Sequence, residues 1–145
     1  MAQGPTLIRA CCSLALLLSA LAAQAQVAVI VNPKSSLANL TPDQAANVFL
    51  GRANSLPGSG GTAALVDLPE GSAAREQFYS KAAGKTSAQV KAAWSRLTFS
   101  GKATPPKELT SAADVKKFVA ANPEAVGYIE KSAVDASVKV VLTLD

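Results

Sequence analysis

Histidine is absent from the 145 residues, and with it go the commonest general base, the commonest metal ligand and the side chain that titrates near neutral pH. Cysteine occurs only as Cys11 and Cys12, so the chain beyond them has no thiol and no disulfide to staple it. Catalytic motifs are equally scarce. Ser-x-x-Lys does not occur, His-Glu-x-x-His cannot, and Gly84-Lys85-Thr86 only imitates the end of a P-loop, because Tyr79 stands where its first Gly must be. A non-enzyme with no cofactor and no metal site is expected. Basic residues are not massed either. Lys116-Lys117 is the one adjacent basic pair, whereas a nucleic-acid binder needs a dense basic stripe interleaved with exposed aromatics, so nucleic acid is not an expected partner.

What is present begins with a leader. Arg9 and the amino group supply positive charge, Ala10 to Ala23 is almost wholly apolar, and Ala23-Gln24-Ala25 has the small-x-small pattern of a signal-peptidase site. The apolar run is about 14 residues, too short for a membrane-crossing helix, and no run of about 18 apolar residues follows it. Residues 1–25 are therefore expected to be a cleaved signal peptide and 26–145 an exported, periplasmic domain. Both cysteines leave with the leader. Loss of Arg9 takes the 14 basic residues to 13 against 10 acidic ones, a net charge of about +3, a weak field that suits a small anion.

About 120 residues remain, the length of one domain. Val27-Ala28-Val29-Ile30-Val31 reads as a buried strand. Thr41-Pro42-Asp43-Gln44 opens a helix with an N-cap, Pro at the first position and Gln at the third, and Leu40 stands where it can staple onto Ala45; the helix stops at Gly51. Ala63 to Leu68 is a second strand. A third element runs from Ser72 to Gly84, and Val90, Ala93, Trp94 and Leu97 then form an apolar stripe on a helix over Thr86–Leu97, with Trp94 as core. Phe99 to Pro106 is expected to be a loop. Ser111 to Asn122 is a further capped helix with Val115, Phe118 and Val119 inward, and strands at Ala125–Ile129 and Val138–Leu144 close the chain. The order predicts an α/β sandwich with a mixed sheet, whose ligands sit at strand ends beside helix N-termini.

Pro69-Glu70-Gly71-Ser72-Ala73-Ala74-Arg75 occupies such a place: strand, Gly turn, helix start. A turn of this kind aims free N–H groups and the positive end of the helix dipole at one point, with a Ser hydroxyl beside them. The plainer reading is that Ser72 only caps its helix.

Four segments, in order, resemble the phosphate-binding periplasmic receptors of ABC transporters and their short relatives. Leu40-Thr41-Pro42-Asp43-Gln44 through Val48-Phe49-Leu50-Gly51-Arg52 is similar to the family's "L-x-x-x-Q…I-F-x-G" helix, and Leu68-Pro69-Glu70-Gly71-Ser72 to its "R-x-D-G-S-G-T" phosphate loop. Trp94 fits a family aromatic, and Asn122-Pro123-Glu124-Ala125-Val126-Gly127-Tyr128-Ile129 resembles its "pGAIGY" turn and strand. The resemblance implies a single lobe of the type II periplasmic-binding-protein fold. It further implies an anion site at Glu70, Gly71, Ser72, Ala73 and Arg75, with Gly71 and Ser72 donating to phosphate and Glu70 accepting from its proton. Leu68 stands where the family's clamping Arg is expected, and Ala73 and Ala74 replace the Gly and Thr. Arg75 is then either a partial substitute or a surface side chain pairing with Glu70 or Glu76. With one lobe, half of the clamp is missing and binding is expected to be weak. The implied partners are phosphate or a similar oxyanion, an inner-membrane permease or sensor, and a weak homodimer that rebuilds the cleft. The alternative is a lobe that has lost its ligand and docks on a membrane sensor, permease or porin.

Overall fold

The structure is a computed structural model that describes residues 26–58 and 61–145; the expected signal peptide, residues 1–25, lies outside the described residues. β1 (Val27–Val31) is buried at all five positions, which is what an unbroken β-branched run requires. It lies between two antiparallel partners, β4 (Ala125–Glu130) and β5 (Lys139–Leu144), with a register shift against β5 between Val29 and Ile30. On the far side of β4, β2 (Ala64–Asp67) runs parallel to it, and the two-residue β3 (Lys107–Glu108) runs parallel to β2. The result is a five-stranded mixed sheet in the order β3-β2-β4-β1-β5.

Among the described residues four α-helices flank it: α1 (Pro42–Phe49), α2 (Ala73–Ala83), α3 (Ser87–Phe99) and α4 (Ala112–Ala121). Their starts are written locally. Thr41 and Gln44 form a reciprocal capping box on α1, Thr86 and Gln89 do the same for α3, and the Ser111 hydroxyl accepts from Asp114 N–H on α4. The stops of α1 and α2 use glycine at positive φ, Gly51 at 75° and Gly84 at 64°. Among the described residues no helix is long and apolar enough to cross a membrane.

Successive residues of β4 divide the helices between the two faces of the sheet. Tyr128 points to the face of α1 and α2, where its ring stacks on Phe78 at 4.2 Å and meets Phe49 edge-on at 5.8 Å. Phe49, Phe78, Tyr79 and Tyr128 are all fully buried there. Gly127 points to the other face, under Val115 and Val119 of α4. Trp94 is buried, as its stripe implies, and its indole N–H donates to the Phe49 carbonyl at 2.8 Å, tying α3 to the end of α1.

Two elements differ from the sequence reading. α3 continues through Phe99, which was expected to open the loop, and β3 appears where no strand was expected. Lys107 and Glu108 are both exposed and follow two prolines, so neither alternation nor hydrophobicity marks them; the open edge of β2 recruits them.

Gly127 gives the sharpest test of this packing. A Cβ there would lie 2.7 Å from Val66 Cγ2 and 2.8 Å from Val115 Cγ1, so Gly127→Ala forces α4 off the sheet. A loss of about 1–3 kcal/mol is expected in urea unfolding, whereas Gly58→Ala, with nothing near its Cβ, is limited to the cost of its positive φ.

Candidate anion site at the end of β2

The turn that carries the sequence-predicted residues begins where β2 ends. Gly71 takes φ 88°, a left-handed value that a side chain would oppose, and the Ser72 N–H donates to the Pro69 carbonyl at 3.1 Å. Ser72 is the N-cap residue of α2 by its extended backbone, yet its hydroxyl makes no capping bond. The plainer reading of Ser72 as a side-chain cap is therefore corrected. The first helical bond runs from Glu76 N–H to the Ser72 carbonyl, so Ala73, Ala74 and Arg75 N–H have no helical acceptor. Glu70, Gly71 and Ala73 are exposed and Ser72 half-buried. The turn thus places an uncapped hydroxyl, the N–H of exposed Ala73 and the positive end of an eleven-residue helix at the surface, while Ala74 and Arg75 are buried.

Arg75 does not join them. The expectation of a surface arginine pairing with Glu70 or Glu76 is wrong: its side chain is buried and folds back under the turn. Nη1 donates to the Leu68 carbonyl at 2.8 Å, Nε donates to Ser87 Oγ at 3.0 Å, and the guanidinium lies 3.7 Å from the Asp67 carboxylate and 5.6 Å from the Tyr79 ring centroid. The guanidinium thereby comes to rest beside Leu68, the position at which the resemblance expects an arginine. Glu70 instead pairs with Lys91 of α3 at 3.6 Å, both side chains largely exposed, a contact worth at most about 1 kcal/mol.

Asp67 organises this end of the strand. Its carboxylate accepts the Tyr79 hydroxyl at 2.5 Å, the Tyr128 hydroxyl and the Leu68 N–H at 2.9 Å, with Arg75 alongside. Burial, followed by the neighbouring Asp67 charge, pushes both tyrosine hydroxyls far above their ordinary pKa. Sequence reading missed Asp67, although a charged residue at the end of an apolar strand was the available signal. The same group lines one wall of a cleft of about 470 Å³ bounded by Asp67, Arg75, Lys91 and Trp94 on one side and Pro105, Pro106 and Glu108 on the other. Among the described residues no cluster of acidic, His or Cys side chains is arranged to hold a metal ion.

No protein-family model matches the chain, and no curated protein matches it. Solved structures do. A chain from Clostridium perfringens described as a phosphate ABC transporter substrate-binding protein, with bound phosphate, is 23% identical with a TM-score of 0.65 over 79% of this chain and 43% of that one. An ABC-type phosphate transport receptor from Vibrio cholerae is 23% identical, with a TM-score of 0.56, over 79% of this chain and 44% of that one. At such identities the likeness is one of fold, and this chain spans less than half the length of the receptors it matches.

The chain's two tyrosines both sit on Asp67, so tyrosinate absorbance in an alkaline titration reads this cluster alone. Their folded pKa is raised, so the folded state holds protons that the unfolded chain releases above about pH 10, and stability present below that pH falls as pH rises. The expected slope is up to about 1.4 kcal/mol per pH unit per tyrosine. Tyrosinate absorbance should appear only together with unfolding, and Tyr79→Phe should flatten the slope by about half.

Proposed function

We propose that the chain is an exported, periplasmic solute-binding-like protein that takes a small oxyanion, inorganic phosphate first, at the N-terminus of α2 for uptake or sensing. The observation that carries this reading is the uncapped start of α2. Ser72 leaves its own hydroxyl and three N–H groups unclaimed, in a fold shared with chains described as phosphate receptors. Gly71, Ser72 and Ala73 donate to the anion. Glu70 accepts from a protonated phosphate oxygen, which selects against sulfate, an ion with no proton to give. Arg75 acts from below, its buried charge adding to the helix dipole without touching the ion, so its role is positioning. Transport neighbours and the missing catalytic motifs favour a binding protein over an enzyme, with a permease or sensor as the membrane partner.

One lobe covers one side of the ion. A second reading, a receptor-derived module docking on a membrane sensor, permease or porin, is favoured by one observation: Phe99 is 95% exposed.

Calorimetric titration with phosphate, with sulfate as control, should give saturable heat for phosphate only. Ser72→Ala should weaken binding by about 1.5–3 kcal/mol, the range of a charge-assisted hydrogen bond. No heat at millimolar phosphate from folded protein would overturn the anion reading and leave the docking module.

A further inference from the structure

Phe99 stands at the end of α3 with its ring in water, and Val140, at 37%, is the only other large hydrophobic residue exposed among the described residues. It forms the rim of the 470 Å³ cleft. A second, wider cleft of about 730 Å³ lies across the 100–106 loop, and the two share Trp94, Pro105 and Pro106 as walls. Together they make one groove along the β3 edge of the sheet.

Three properties of the groove define its occupant. The first is backbone. β2 pairs with β4 at Ala64 and Leu65, but its ladder with β3 starts only at Val66. Pro105 and Pro106 precede β3 and have no N–H with which to extend it. Ala64 N–H bonds to the Glu124 carbonyl on the β4 side and Ala63 N–H is taken by the Asn54 carbonyl, so what stays without a strand neighbour on the β3 side is a short gap at Leu65, which opens into the wider cleft. The second is charge. Arg52, Lys102 and Lys107 line the wider cleft, against Glu108 of the narrower one, where Lys91 and Asp67 are already paired, with Glu70 and Arg75. The third is an apolar anchor point at Trp94, Phe99 and the prolines.

We infer that this groove docks an extended acidic segment of a partner protein, crossing the edge of β2 at the Leu65 gap with an apolar side chain against Phe99 and Trp94. A second copy of the chain would bring like charges together across the groove, and a lipid surface is flat where the groove is concave. The inference uses no residue of the Glu70–Ala73 turn, so it stands or falls separately from the anion reading.

The chain has a single tryptophan, and it lines both clefts, so Trp94 emission reports occupancy. The probe is a blocked peptide of about ten residues alternating Glu and Val, with a Lys/Val peptide of the same length as control. Titrating purified protein with the Glu/Val peptide should shift Trp94 emission saturably, severalfold more weakly at physiological than at low salt. Phe99→Ser and Lys102→Glu, both at exposed positions, should each weaken binding about tenfold with unchanged unfolding midpoints, while Ser72→Ala should leave it unchanged. An equal response to the Lys/Val peptide, or none to either, overturns the inference. So does a concentration-dependent dimer that Phe99→Ser abolishes, or Phe99-dependent co-sedimentation with phosphatidylglycerol vesicles in the absence of peptide binding.

Discussion

Asp67 is a carboxylate placed inside the protein at the end of a strand, and its desolvation obliges the surrounding structure to answer it. Two tyrosine hydroxyls, one from α2 and one from β4, a backbone N–H and a guanidinium converge on it. Removing one partner from a buried pair of this kind costs about 3–5 kcal/mol, because the other charge is left uncompensated. The cluster joins β2, α2, α3 through Ser87, and β4 at one point. The turn from Leu68 to Ser72 is suspended between two of those anchors, the strand end and Arg75. Its shape is therefore fixed from beneath as well as by its own Ser72–Pro69 hydrogen bond.

That arrangement explains why Ser72 need not cap α2. In α1 and α3 a threonine side chain closes the helix start through a capping box; in α2, Tyr79 and Arg75 hold the first two turns to β2 instead. The first donors of α2 stay without a helical acceptor or a side-chain cap, the condition for an anion to use them. The same strand end has a second consequence. β3 is too short to cover the whole of β2, and the uncovered part opens the groove beneath Phe99. The two surfaces flank the Asp67 cluster, linked by the Glu70–Lys91 pair.

The helices, the strands other than β3 and the core were legible in the sequence because their signals are local: capping residues, a β-branched run, an apolar stripe at helical spacing. Thr41, Ser111 and Trp94 behave as those signals imply. The turn at Gly71 was legible for the same reason. Arg75 was not. Its fate depends on Asp67, eight positions earlier, and on Ser87, twelve later, and no spacing rule says that an arginine in the first turn of a helix will fold inward. β3 was hidden because its residues are exposed and charged, and its strand pairing is imposed by β2. The leader reading rests on residues 1–25, which lie outside the described residues.

The proposed anion site at the start of α2 is tested most directly by amide chemical shifts followed through a phosphate titration. Saturable movement concentrated at the N–H groups of Gly71, Ser72 and Ala73, and not produced by sulfate, is expected. Unmoved amides at those positions, or movement centred on the lysines of the Phe99 groove, would contradict it.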